Sequence, residues 1–149
     1  MDLTLIQDKD FEDKLNIQTK IIKEITAVDD FSIRKKAENK KTKFILIKES
    51  TKKDYMKFRN SCLNQIICKI LAKNNIILIF SFSQLLNSKN KPILLGRMQQ
   101  NVKLCKKYKV KMRIASLAEN KWELRSEDSL KSFGKIIGMK PHEVEKALN

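Results

Sequence analysis

The chain has 149 residues and carries 32 Lys and Arg against 17 Asp and Glu, which gives a formal net charge of +15 and an isoelectric point near 9.8. Its length suits a single domain covering residues 1–149, and a hydrophobic content of 42% argues against wholesale disorder. No apolar run approaches the roughly 18 residues of a membrane span, and the acidic N-terminus lacks the basic region and apolar core of a signal peptide. We therefore expect a globular cytoplasmic protein that does not bind membranes.

The first third of the chain shows only weak periodicity. A short strand is predicted at 3–6, a helix at about 10–25 and a second short strand at 31–33. The apolar stripe of this helix is irregular and comprises Phe11, Leu15, Ile22 and Ile25. The basic segment 34–43 contains a single apolar residue, so it is either an exposed helix or loop or a segment that contacts phosphates. Glu38 within it favours the exposed element.

The middle of the chain alternates between apolar runs and helical periods. Buried strands are predicted at 44–47 and 76–80, where apolar residues follow one another without a break. A short helix is expected at 51–60. A longer helix over 63–71 has the apolar spacing of one helical face, formed by Leu63, Ile66, Ile67, Ile70 and Leu71. Residues 81–90 are expected to form a polar loop.

The clearest pattern lies in the last third of the chain. Pro92 suits the first turn of a helix, and the apolar face of that helix is formed by Leu94, Met98, Val102, Cys105 and Tyr108. The opposite, exposed side is predicted to carry Arg97, Gln100, Lys103, Lys106 and Lys107. Alternation over 111–115 predicts a strand, and 116–125 form a polar loop at its C-terminal end. Two more helices are predicted to start at Ser126 and Pro141. The order β-α-β-α-β-α is typical of an α/β fold with a largely parallel sheet.

The positive charge is concentrated in one part of the chain. Residues 55–118 contain 13 Lys and Arg and no Asp or Glu, whereas the rest holds 19 basic residues against 17 acidic ones. A surface that serves only solubility mixes both signs. This distribution therefore indicates a polyanionic partner, most simply a nucleic acid.

The sequence contains no recognisable catalytic or metal-binding constellation. Its single histidine, His142, has no acidic or cysteine neighbours at a ligand spacing, and the three cysteines, Cys62, Cys68 and Cys105, have no metal-type spacing either. Unpaired cysteines suit a reducing compartment. Phosphate-cradling glycine loops are absent from the sequence. We therefore predict no catalytic residues, no bound metal and no cofactor in this chain.

Basic side chains of the last third are the binding candidates that remain. The predicted RNA-binding residues are Arg97, Lys103, Lys106, Lys107, Arg113, Lys121 and Arg125. The alternative is that the lysines form a solvated helix face and that Arg125 is a capping or packing residue. Only Trp122, Tyr108 and Tyr55 offer rings for base stacking, so recognition of backbone and shape is expected more than sequence readout.

Three motifs in the last third, together with an upstream segment, resemble a known family. The helix contains Arg97-Met98, Asn101-Val102, Leu104-Cys105, Lys107-Tyr108 and Val110. The loop contains Ser116, Ala118, Trp122 and Arg125, and the next helix contains Phe133-Gly134 followed by Gly138-Met139. Together with LNQIICKILAKNNIILIFSFSQLL upstream, this pattern resembles ribonuclease P protein component 3 of archaea and eukaryotes over roughly residues 59–149.

The resemblance implies a TIM-barrel-like fold related to the PHP class of metal-dependent phosphoesterases but without their metal ligands. It implies a non-catalytic subunit of the endonuclease that removes 5′ leaders from precursor tRNA, in which the RNA does the chemistry and requires magnesium. The implied partners are the catalytic RNA and a second small α/β protein subunit, with precursor tRNA contacted indirectly.

The chain departs from the family in length. A full (β/α)₈ barrel typically needs about 250 residues, so an abbreviated or incomplete barrel with a mostly parallel sheet is expected. Two other functions stay open at this point. One is a generic RNA-binding or ribosome-associated protein, and the other is a reduced phosphoesterase with its own activity.

Overall fold

The computed structural model describes the backbone of residues 1–149 and every side chain except that of Leu15. The predicted place of Leu15 in an apolar stripe therefore lies outside the described side chains. The strands are β1 (Asp2–Thr4), β2 (Thr19–Ile21), β3 (Ile25–Val28), β4 (Phe44–Ile47), β5 (Ile77–Ser81) and β6 (Lys111–Ala115). The helices are α1 (Lys9–Leu15), α2 (Ile33–Glu38), α3 (Gln65–Lys73), α4 (Phe82–Asn87), α5 (Lys91–Tyr108), α6 (Glu127–Ile136) and α7 (Pro141–Leu148), with a 3₁₀ turn at Lys121–Glu123.

Every strand pair is parallel. One sheet has the order β3-β4-β5-β6, and β1 and β2 form a second sheet. The two sheets meet just beyond β6, where Leu117 N–H donates to Leu3 O and Leu5 N–H donates to Ala118 O, both at 3.0 Å. The predicted fold class is thereby confirmed as an abbreviated, TIM-barrel-like α/β fold with a mostly parallel sheet, and the strands do not close into a barrel.

The two faces of the four-stranded sheet bury different cores. The larger core lies under the helices and includes Ile45, Leu78, Val102, Ile114 and Leu130. The smaller core lies on the opposite face, where the interior of a complete barrel would be, and comprises Leu3, Ile79, Ala115 and Leu117. Because residues alternate between the faces along each strand, β5 contributes Leu78 to one core and Ile79 to the other.

Two predictions for the first third are wrong. The helix expected at 10–25 ends at Leu15, because Asn16 adopts a left-handed conformation with φ 52° and two strands follow. The strand expected at 31–33 is a turn leading into α2. There the Asp29 carboxylate accepts hydrogen bonds from the N–H groups of Phe31 (3.1 Å) and Ser32 (2.9 Å). Local side-chain hydrogen bonding of this kind competes with regular strands.

Two further elements are also wrong. The segment 51–60 is a loop held by long-range contacts, not a helix. The segment 81–90, expected to be a loop, contains α4, because Ser81 Oγ accepts a hydrogen bond from Gln84 N–H and caps that helix.

The strands at 44–47 and 111–115 and the helices that begin near Pro92, Ser126 and Pro141 form as predicted. The helix expected at 63–71 forms as α3 but starts at Gln65, and Ile66, predicted on its apolar face, is 59% exposed. In the described chain no helix is long and apolar enough to cross a bilayer.

Candidate nucleic-acid interface

The helix α5 organises the basic region of the protein. Pro92 stands in its first turn, and Lys109 ends it in a left-handed conformation with φ 57°. The predicted apolar face packs inward, since Met98, Val102 and Cys105 are buried in the larger core. Lysines therefore occupy the outward side of the C-terminal half of the helix.

Arg97 is placed differently from the prediction. It was expected on the exposed side of α5, but only 6% of the residue is accessible. Its Nε lies 2.9 Å from Asp54 Oδ1, and its two terminal nitrogens donate to the carbonyl oxygens of Ser50 and Lys52. The reason is that the long loop between β4 and α3 folds over this helix, and its carbonyl oxygens and the Asp54 carboxylate accept the hydrogen bonds of Arg97. Arg97 ties that loop down and offers nothing to an external phosphate.

The carboxylate of Asp54 is the acidic partner in this contact. Burial raises the pKa of Asp54, but the hydrogen bonds from Asn60 N–H and Arg97 outweigh this effect, so that the pKa lies below its ordinary value of 3.8. Arg59 also binds Asp54, at 3.0 Å, with a much more exposed side chain. Asp54 therefore stays ionised at neutral pH and holds two arginines from different segments.

The three predicted lysines of α5 have unequal surroundings. Lys103 and Lys107 are exposed, and Lys107 Nζ lies 5.6 Å from the ring centroid of Tyr108. Lys106 instead bridges α5 to the start of α7, with its Nζ 2.8 Å from Glu143 and 2.7 Å from Gly138 O. Lys103 and Lys107 are therefore free to meet an anion, whereas Lys106 already has internal partners.

Arg113 lies on β6 and faces the smaller core rather than the solvent. Its side chain is half-buried, and one terminal nitrogen donates to Met1 O at 3.3 Å. Its Nε has no hydrogen-bond partner among the described residues. Burial lowers the pKa of the guanidinium, an effect that Asp2 partly opposes. Arg113 therefore lies where β6 approaches the N-terminal strand and is only partly accessible.

The loop 116–125 is built around a buried carboxylate. Glu123 accepts hydrogen bonds from Asn87 Nδ2 at 2.6 Å and from Glu119 N–H at 2.8 Å. This arrangement exposes the neighbouring Lys121 and leaves Trp122 69% accessible. Lys121 Nζ lies 5.1 Å from the ring centroid of Trp122, so the two side chains form one small cationic and aromatic surface.

Arg125 is an internal staple of the same loop. Its Nη1 donates to Trp122 O at 2.7 Å and to Leu124 O at 2.8 Å, and its guanidinium lies 5.2 Å from the ring centroid of Phe82. The half-buried side chain therefore fixes the loop against α4. This matches the packing alternative that the sequence left open for Arg125.

Apart from Arg97 and Arg113, the structure separates the predicted RNA-binding residues into two groups. Lys103, Lys106 and Lys107 lie toward the N-terminal end of β6, whereas Lys121 and Arg125 follow its C-terminal end. A five-residue strand spans about 17 Å, so the two groups occupy opposite edges of the sheet. A single compact site containing all of them is not formed.

Most of the lysines at the N-terminal edge of the four-stranded sheet were missed by the sequence reasoning. The helices α2, α3 and α5 all end at this edge, each just before the next strand begins. Seven exposed lysines stand at the starts of β4, β5 and β6 or up to four residues before them. One of them, Lys43, is paired with Glu24, and we call the other six the lysine edge: Lys40, Lys41, Lys73, Lys107, Lys109 and Lys111. The sequence does contain a pattern that predicts this grouping. Each of these lysines stands within four residues of the start of a predicted strand, and the strands of a parallel sheet all begin at the same edge.

His142 and the three cysteines are the residues that the sequence analysis weighed for catalysis or metal binding. Among the described side chains, no three His, Cys, Asp or Glu residues converge as a metal ion requires, and His142 is exposed. Burial raises the pKa of the Cys68 thiol to about 11 and that of Cys62 to about 12, and raises that of Cys105 as well. Since the thiolate is the reactive form, these cysteines are poor nucleophiles.

These observations define a class of protein: an incomplete, barrel-like α/β protein with a strongly basic surface. A chain of an archaeal ribonuclease P solved by cryo-EM with mature tRNA has the same fold, with a TM-score of 0.58 at 18% identity over 91% of this chain and 67% of that chain.

The sequence comparison is more specific. Ribonuclease P protein component 3 of Thermococcus kodakarensis is 38% identical over 80 residues, which are 52% of this chain and 36% of that protein. The resemblance predicted from the motifs is thereby confirmed, although the match spans little more than a third of the relative's length. No family model matches the chain.

Proposed function

We propose that the chain is a protein subunit of ribonuclease P and supports the catalytic RNA in removing the 5′ leader of precursor tRNA. The observation that carries this proposal is the similarity to ribonuclease P protein component 3 over about half of the chain. A non-catalytic role for the chain itself is what the resemblance to this family implies. The magnesium that the reaction needs would be bound by the RNA.

Within this role, the accessible lysines are the proposed contacts with the catalytic RNA. Lys103, Lys107 and Lys121 are exposed and have no acidic partner among the described side chains. Lys106 and Arg125 would act by holding their segments in place. Precursor tRNA would be contacted only indirectly, and the free cysteines suit work in the cytoplasm.

The second proposed partner is a small α/β protein subunit. Apolar side chains remain accessible on several helices, with Ile66 of α3 59% exposed and Ile136 of α6 56% exposed. A protein interface with an apolar centre would cover such residues. We assign the surface around Ile66 and Ile136 to this contact, and the accessible lysines named above to RNA.

A pull-down from the source organism tests the proposal directly. The tagged full chain is expected to recover ribonuclease P RNA and a small α/β protein, at an enrichment well above that of ribosomal RNA. An equal recovery of all RNAs would instead support a generic RNA-binding protein. Metal-dependent phosphoester hydrolysis by the purified chain would support a reduced phosphoesterase.

A further inference from the structure

We propose that the lysine edge binds the phosphate backbone of a folded, duplex-containing RNA. This inference rests on the proposed function, because it names the surface through which the chain would hold the catalytic RNA. The surface lies opposite the loop 116–125, where α/β folds usually place their sites. Five of its six lysines were not among the residues expected from sequence.

Hydrogen bonding across the sheet shows that these lysines are neighbours. Phe44 pairs with Ile77, and Ile77 pairs with Lys111, so that β4, β5 and β6 begin in one row. Neighbouring strands lie about 4.8 Å apart, which separates the starts of β4 and β6 by about 10 Å. Six ammonium groups therefore stand around a narrow edge formed by three strand starts and three helix ends.

Of the seven exposed lysines at, or up to four residues before, the starts of β4, β5 and β6, Lys43 is paired with an acidic side chain and the six of the lysine edge are not. None of the ion pairs formed by the described side chains includes a member of the lysine edge. Glu24 stands just before β3 at the same side but binds Lys43, at 3.1 Å. A dense set of unpaired like charges raises the free energy of the isolated protein, and a polyanion would remove that repulsion.

Stabilisation of helix ends is the competing explanation. Lysines in the last turn of a helix interact favourably with its dipole, which could account for Lys73 and Lys107. It does not account for Lys109, whose left-handed φ of 57° belongs to a position that glycine or asparagine usually occupies.

The chemistry of the surface favours phosphates over bases. Tyr108 and Phe44 are the aromatic residues that lie beside these lysines, and both are half-buried. Without exposed rings, successive bases cannot stack on this edge. Duplex RNA is recognised mainly through phosphates and 2′-hydroxyls, which a row of flexible ammonium groups can contact. An acidic protein surface would be the other possible polyanion.

The test compares two triple substitutions of equal charge in the full chain. The edge variant carries Lys41→Gln, Lys73→Gln and Lys109→Gln. The control variant carries Lys9→Gln, Lys53→Gln and Lys89→Gln, which lie after β1, β4 and α4 at the opposite edge and are exposed. Binding is measured against ribonuclease P RNA, a 20-base-pair RNA hairpin and an unrelated structured RNA over a range of salt concentrations, with thermal unfolding of each variant.

The edge variant is expected to bind the hairpin and the ribonuclease P RNA at least about tenfold more weakly, with a salt slope reduced by about 2 to 3. The control variant should keep the wild-type slope. Lys109→Gly should weaken binding while unfolding at the same or a higher temperature. This opposite response of affinity and stability cannot come from a helix-capping role.

Other results would overturn the inference. Equal losses in the edge and control variants would show that only net charge matters. Unchanged RNA binding by the edge variant would leave an acidic protein as the partner of this edge. A lower unfolding temperature with unchanged RNA affinity in Lys109→Gly would show that these lysines serve to stabilise the helix ends. If the edge variant behaves as expected but wild type shows no preference for ribonuclease P RNA, the lysine edge stands and the proposed function fails.

Discussion

Arg97 is predicted from the sequence to bind RNA, whereas in the structure it anchors the loop between β4 and α3. The two roles differ in whether replacing Arg97 lowers the stability of the protein or its affinity for RNA. Replacing Arg97 by Met keeps most of its aliphatic volume and removes the ion pair with Asp54 and two hydrogen bonds to loop carbonyl oxygens. The side chains of the pair are 7% and 20% exposed. Breaking a buried pair typically costs 3–5 kcal/mol.

We expect Arg97→Met to lower the free energy of unfolding by about 3 kcal/mol. This value is the lower end of the typical range, because Asp54 still binds Arg59 and the freed carbonyl oxygens of the loop can bind water. For a chain of this size that loss corresponds to a decrease of about 6–12 °C in the unfolding midpoint. Arg59→Met is the matched control. Arg59 binds the same carboxylate from a side chain that is 45% exposed, so its loss should cost only about 0.5 kcal/mol.

The pH dependence provides an independent check on Arg97. The folded-state pKa of Asp54 lies below 3.8, so its contribution is fully present above that value and is lost as the pH falls through the folded pKa. The difference between wild type and Arg97→Met should therefore be constant near neutrality and shrink in acid. A variant as stable as wild type that binds RNA tenfold more weakly would refute the anchoring role.

Two further substitutions test the packing around β6. Gly134→Ala should lower the free energy of unfolding by about 1–2 kcal/mol, despite the better helix propensity of alanine. The added Cβ would lie 2.5 Å from Ile114 Cδ1 and 3.0 Å from a methyl of Val144. Urea denaturation would measure the change, and a variant more stable than wild type would contradict the prediction. Asp2→Asn should raise stability at pH 7. Burial raises the pKa of Asp2 although Ser116 donates hydrogen bonds that lower it, so stability falls as the pH rises from 3.8 through the folded pKa. The gain should disappear below pH 3.8, and an equal effect at all pH values would exclude this cause.

Elements that depend on interactions between residues close in sequence could be predicted, and elements that depend on distant contacts could not. The strands at 44–47 and 111–115 and the face of α5 were predictable, because apolar periodicity within one segment determines them. The helix wrongly expected at 51–60 shows the opposite case. Its conformation depends on Asp54 binding Arg97, 43 residues away in sequence, which no local pattern reveals.

The positions of the basic residues could likewise be predicted only in part. Helical spacing placed Lys103 and Lys107 correctly on the outside, but it also placed Arg97 there, because a polar residue in a helix normally faces solvent. The grouping of Lys41, Lys73 and Lys109 depends on strand order and register, which bring three distant segments to one edge. Charge composition indicated a polyanion, and only the topology indicated where it would bind.

Precursor-tRNA cleavage by a reconstituted ribonuclease P tests the central claim most directly. The catalytic RNA is assayed with the small α/β subunit, with and without this chain, over a series of magnesium concentrations. We predict that adding the chain raises the rate of 5′ leader removal and lowers the magnesium concentration required, while the chain alone cleaves nothing. A rate and a magnesium requirement that do not change when the chain is added would contradict the account.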